Sequence, residues 1–142
     1  MKRGFEKLKP NAILPIRSTS GSAGYDFSVI EKTIIPAHGT VKINTYLKAY
    51  MQKNEFLSIH IRSSMGIKKG LYLLNQAGIV DSDYYNNPDN EGHIIIFVGN
   101  RTNEDVVIEA GERIAQGIFM NYLTVDNDEA TGVRNGGFGS TN

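Results

Sequence analysis

Apolar residues along the chain recur with period two in short runs, and Gly, Pro and Asn punctuate them. Val41, Ile43, Thr45 and Leu47 fall on one face of a predicted strand, with Lys42, Asn44, Tyr46 and Lys48 on the other. Leu57, Ile59 and Ile61 repeat the pattern, which leaves Ser58, His60 and Arg62 on the polar face and puts Arg62 at a strand end. Further strands are predicted over 71–74, 93–99, 105–108 and 113–119, and no stretch of ten or more residues carries a helical stripe. Gly39-Thr40, Gly70, Gly92 and Gly111 separate these runs at spacings typical of an all-β sandwich or barrel. The run Ile94 to Val98 is apolar at every position, so that strand is expected to be covered on both faces, with another subunit as a candidate for the second cover.

At 142 residues the chain fits one domain able to bury about two thirds of its unfolded surface. Its 15 Lys and Arg balance 15 Asp and Glu, which speaks against a basic face for a nucleic-acid backbone. The absence of cysteine removes disulfides, thiolate metal sites and any Cys nucleophile. No apolar run approaches the ~20 residues that span a bilayer, and the charged opening residues lead into no apolar segment. The expectation is a cytoplasmic protein with neither membrane nor nucleic-acid partners. A domain over 1–131 is followed by a Gly-rich tail over 132–142, with Val133 and Phe138 its only large apolar residues, too few for a core of its own.

Several short segments carry chemistry. Arg62-Ser63-Ser64 follows a strand and suits phosphate oxygens, although from these residues alone a turn with an Arg–carboxylate pair is the commoner reading. Gly78-Ile79-Val80-Asp81 runs an apolar stretch into an acid, with Tyr84 three residues on. Asp81 can be a turn cap or a carboxylate held to deprotonate a water, with Asn75, Gly78 and Tyr84 as nucleoside contacts. Gln116 sits on a strand with Ile114 and Ile118 and can be a partnered core amide or a ligand. A frayed terminus is the default reading of such a tail, but Arg134, Gly136-Gly137-Phe138-Gly139 and Ser140-Thr141 combine charge, approachable backbone N–H groups, hydroxyls and a stacking ring, which suits a nucleotide. His38, His60 and His93 show no zinc-binding spacing, and no phosphate-binding loop ending in Gly-Lys is present.

In this order the segments resemble the five motifs of the trimeric dUTP pyrophosphatase (dUTPase) family: Ala23-Gly24-Tyr25-Asp26-Phe27, Arg62-Ser63-Ser64, Gly78 to Tyr84, Arg113-Ile114-Ala115-Gln116, and Arg134 with Gly136 to Thr141. The resemblance implies an all-β, jelly-roll-like homotrimer with a mobile tail that closes over the active site. It also implies hydrolysis of dUTP to dUMP and pyrophosphate with Mg²⁺. Carried over, it makes Asp81 the base. It assigns Asn75, Gly78, Ile79, Val80, Tyr84, Ile95 and Phe138 to the nucleoside. It assigns Arg62, Ser63, Ser64, Gln116, Arg134, Gly137, Gly139, Ser140 and Thr141 to the phosphates. Asp26 would meet the metal through water only. Each site would draw Arg62, Ser63, Ser64 and Gln116 from one subunit, the Asp81 segment from a second and the tail from a third.

The chain departs from the family pattern in a lengthened hairpin after Tyr84 (85–92), in the single residue between Arg134 and Gly136, and in ending on Asn142 without a final glycine. The related dCTP deaminases carry an Arg where this chain has Ile67 and a catalytic Glu where it has Phe97, so deamination is not expected. A nucleotide-gated regulatory or partner-binding module on the same fold is the alternative reading.

Overall fold

The computed structural model describes residues 1–139. As the period-two pattern predicts, their regular secondary structure is almost entirely β. The strands are β1 (Gly4–Lys7), β2 (Tyr25–Ser28), β3 (Thr33–Ile35), β4 (Thr40–Asn44), β5 (Leu47–Tyr50), β6 (Glu55–Ile61), β7 (Leu71–Leu73), β8 (Gly78–Asp81), β9 (Ile95–Asn100), β10 (Val106–Ile108) and β11 (Arg113–Asn121). A π-helical turn, Ser64–Lys68, follows β6, and a 3₁₀ turn, Ser82–Tyr84, follows β8. No helix among the described residues is long and apolar enough to cross a membrane.

All strand pairs are antiparallel. A four-stranded sheet has the order β2-β11-β6-β8 and a three-stranded sheet the order β4-β9-β7, with the pairs β1-β5 and β3-β10 beside them. One core unites the inner faces: Phe27, Leu57, Ile59 and Ile114 from the first sheet meet Ile43, Leu71, Ile96 and Val98 from the second. This is the sandwich arrangement in which alternate residues of each strand point inward.

The alternating run from Val41 to Leu47 does not form one strand. β4 pairs with β9, whereas β5 pairs with β1, and the chain changes sheets at Thr45-Tyr46. Thr45 is buried; its Oγ1 donates to the Ile94 carbonyl at 2.6 Å and accepts from the Leu47 N–H at 3.2 Å. Tyr46 turns the corner with φ +54°, a left-handed conformation uncommon outside glycine. Ile43, Thr45 and Leu47 all remain buried, so the period survives a break that it cannot reveal.

β9 meets the core through Ile96 and Val98, while Ile95 and Phe97 are half-buried on the other side. There Phe97 receives Phe138 of the chain's own tail, ring centroids 5.5 Å apart and edge-to-face. Part of the expected second cover thus comes from the same chain.

Replacing Thr45 by Val keeps the shape but strands the Leu47 N–H and leaves the Ile94 carbonyl only its longer bond from the Thr45 N–H at 3.4 Å. Urea denaturation should show a loss of about 1–3 kcal/mol, and an unchanged midpoint would mean that the hydroxyl does not hold the crossover.

Candidate active site

β8 lies at the edge of the four-stranded sheet, paired only with β6. Its outward backbone groups are therefore open to a ligand. Asp81 ends the strand in extended conformation (φ −75°, ψ 157°), and the 3₁₀ turn then carries Tyr84 back toward the core. Asn75, Gly78, Ile79, Val80, Asp81, Tyr84, Ile95, Gly137 and Phe138 all line one pocket, with Arg134 at its rim. Every residue expected for the nucleoside, together with the expected base, is thus gathered within one chain.

Tyr84 is buried, and its hydroxyl donates to the His93 carbonyl at 2.6 Å while accepting from Asn90 Nδ2 at 2.8 Å. Burial pushes its pKa up, so the hydroxyl keeps its proton and its bond to His93. Gly137 lies against this ring: a Cβ there would come within 2.6 Å of Tyr84 Cε1, which leaves glycine as the residue that fits.

The tail reaches the pocket of its own chain. The resemblance places it on another subunit's site; here Arg134 Nη2 meets Asp81 Oδ2 and Arg134 Nε meets Asp83 Oδ1, each at 2.6 Å. The Asp89 N–H donates to the Asn135 carbonyl at 3.1 Å. Arg134, expected on phosphates, thus stands on two carboxylates. Gly139 has φ +92° and turns the chain after Phe138. Ser140 and Thr141 lie outside the described residues.

A second pocket is lined by Asp26, Arg62, Ser63, Ser64 and Gln116, with Ser18, Ser22 and Gly24. A bulge in β11 creates the face on which it depends. Arg113 pairs with Ser28 and Ala115 with Phe27, so Ile114 is an extra residue. Ile114 and Ala115 are consequently both buried, and Arg113 and Gln116 emerge on the same side. Gln116 therefore does not share a face with Ile114, contrary to the simple alternation. Gly24 packs so closely on the Gln116 side chain that a Cβ would collide with Oε1. Asp26, nearly buried, accepts from Arg113 Nη1 and Ser18 Oγ, both at 3.0 Å, and has Arg62 Nε at 3.8 Å. The two pockets have no lining residue in common.

Sequence reasoning missed Ser18, Arg113 as an Asp26 partner, and His93. His93 lines the first pocket, stacks on Tyr46 (5.0 Å, 15°) and accepts the Tyr46 N–H through Nε2 at 3.0 Å. That acceptor role requires an unprotonated Nε2. Burial lowers its pKa, aided by Lys42 and Lys9 and opposed by Glu91.

A sequence model of the dUTPase family matches residues 10–142. The deoxyuridine 5'-triphosphate nucleotidohydrolase of Lactococcus lactis is 53% identical over 98% of this chain and 97% of its own. The enzyme of the same name from Paramecium bursaria Chlorella virus 1 is 35% identical over 96% and 94%. Among solved structures, dUTPase from Streptococcus mutans is 49% identical, covers 87% of this chain and 99% of its own, and superposes with a TM-score of 0.79.

Because folding lowers the His93 pKa, the unfolded chain takes up the proton first as pH falls. The stability held above the ordinary value of about 6.5 is therefore lost as pH drops from there through the lowered value. Melting curves should shift down between about pH 7.5 and 5.5, and His93→Gln should flatten that dependence. Equal slopes in both proteins would contradict the assignment.

Proposed function

Since the chain belongs to the dUTPase family, we infer that it hydrolyses dUTP to dUMP and pyrophosphate, an activity that limits uracil incorporation into DNA and supplies dUMP for dTMP synthesis. The observation that carries the reading is the meeting of Asp81, Asn75, Tyr84 and an open strand edge in one pocket roofed by the tail.

The uracil lies along the β8 edge, where Asn75 and the backbone of Gly78, Ile79, Val80 and Ile95 offer donors and acceptors at fixed positions. Phe138, held against Phe97, covers the base. The Tyr84 ring packs on the deoxyribose and leaves no room for a 2′-hydroxyl. Asp81 takes a proton from water as the water oxygen bonds to the α-phosphorus. The bond to the bridging oxygen breaks, and pyrophosphate leaves. For this Arg134 moves from the carboxylates to the phosphate oxygens, exchanging one charge-assisted pair for another. Asp83, its other partner, does not line the pocket.

Register decides where the phosphates go. Gly78 is opposite Ile59 and Asp81 opposite Phe56, so the path from base recognition to water activation runs along β6 away from Arg62. Arg62 lies six residues beyond Phe56, about 20 Å along an extended strand. A triphosphate held at Asp81 cannot also reach the Arg62, Ser63, Ser64 and Gln116 groove of the same chain. A neighbouring subunit of a homotrimer supplies that groove, and the tail closes from the chain that carries Asp81.

Oxygen donors in the groove, one carboxylate among hydroxyls and an amide, suit a hard cation that keeps its waters. Asp26, already held by Arg113 and Ser18, would meet Mg²⁺ through water only, and the ion, when bound with the triphosphate, would offset phosphate charge. Nucleotide turnover of this kind belongs in the cytoplasm. The regulatory-module alternative gains no support, because the base and the sugar-facing ring stand together in one pocket.

Asp81→Asn should lower turnover by ~10²–10⁴ while dUTP still binds, and Asp83→Asn should keep most of the activity. The reverse ranking in a pyrophosphate assay would overturn the assignment. Of dUTP, dTTP, dCTP and UTP, efficient turnover is expected for dUTP alone, and comparable rates on dCTP or UTP would contradict the pocket reading.

A further inference from the structure

The hairpin from Tyr85 to Gly92, where the chain departs from the family pattern, is built around two asparagines. Asn87 is buried. Its Nδ2 donates to the Tyr84 carbonyl at 2.8 Å and to Asn90 Oδ1 at 2.7 Å, and its Oδ1 accepts the N–H groups of Asp89 and Asn90 at 3.0 and 3.1 Å. Asn90 Oδ1 also accepts the Gly92 N–H at 3.1 Å. These bonds leave the Asn90 amide one direction in which to donate, and it donates to the Tyr84 hydroxyl at 2.8 Å. Since that hydroxyl donates onward to the His93 carbonyl, the phenol is held from both sides.

We propose that Asn90 is a positioning residue for substrate selection: through Tyr84 it fixes the ring that excludes the 2′-hydroxyl of a ribonucleotide. This rests on the reading of Tyr84 as the sugar-facing ring. Asn90 itself does not line the pocket. With its donor removed, one restraint on the phenol is lost. The ring can then swing enough to admit a ribose, and the tail at Gly137 loses a fixed surface to lie on.

Asn90→Asp is the informative variant. It is isosteric and keeps the oxygen that accepts from Asn87 and Gly92, but it offers Tyr84 only an acceptor, so the single phenol proton serves either position 90 or the His93 carbonyl and the two bonds no longer form together. The readout is the ratio of kcat/KM for UTP to kcat/KM for dUTP, measured on one preparation. The amount of active enzyme cancels in that ratio, so partial misfolding does not obscure it. A rise of about tenfold is expected, the scale of a modest loss of steric discrimination. In a Tyr84→Phe background, where the acceptor is gone, Asn90→Asp should leave the ratio unchanged. Asn90→Ala is a second route to the same loss and should raise the ratio in the same way.

The proposal is overturned if Asn90→Asp and Asn90→Ala lower both substrates equally, as a purely structural role would. It is also overturned if the ratio rises as much with Phe at position 84 as with Tyr. Failure of the underlying reading looks different, because the unsubstituted protein would then already use UTP as well as dUTP, or neither.

Discussion

Strand β6 fixes where both halves of the site stand. On one side it pairs with β11, which sets Gln116 opposite His60; on the other it pairs with β8, which sets Asp81 opposite Phe56. A one-residue slip in either ladder would turn alternate side chains from the core to the surface. Leu57 and Ile59, both buried, resist that slip. The same strand carries the Asp81 pocket toward Phe56 and the Arg62 groove toward its other end, and the proposed function rests on that separation.

Two irregularities then aim the side chains. The bulge at Ile114 brings Arg113 and Gln116 to one face and lets Arg113 hold Asp26. The crossover at Thr45-Tyr46 presents the Tyr46 N–H and ring to His93, whose carbonyl receives the Tyr84 hydroxyl. The Tyr84 ring is thus braced from beneath by a strand crossover and from outside by a hairpin asparagine. Polar atoms buried at this depth require such partners, and no buried side-chain nitrogen or oxygen among the described residues lacks one.

Much of this was legible in the sequence because it is local. The period-two runs gave the all-β class, and Asp81, Tyr84, Arg62 and Gln116 stand in short ordered segments whose chemistry can be read residue by residue. What escaped depends on contacts between distant segments. Alternation continues unbroken through Thr45, so the crossover is invisible until β1 and β9 compete for the two halves. Gln116 was placed with Ile114 because a bulge resets the face without changing composition. His93 and Arg134 take their contacts from partners far along the chain, Tyr46 for the one and Asp81 and Asp83 for the other, while Asn87 and Asn90 read as ordinary loop residues because their bonds depend on how the hairpin folds back on Tyr84. Short strands such as β1, β3 and β5 are too brief for periodicity to announce them.

Mixing inactive variants tests the central claim, that one chain contributes its two pockets to two different sites. On that claim Asp81→Asn disables one pocket of the chain and Arg62→Ala the other. Equimolar subunits, dissociated, mixed and reassembled, should regain a statistical share of intact sites and hydrolyse dUTP well above either parent. A mixture no more active than the parents, from subunits shown by light scattering to have co-assembled, would contradict the account.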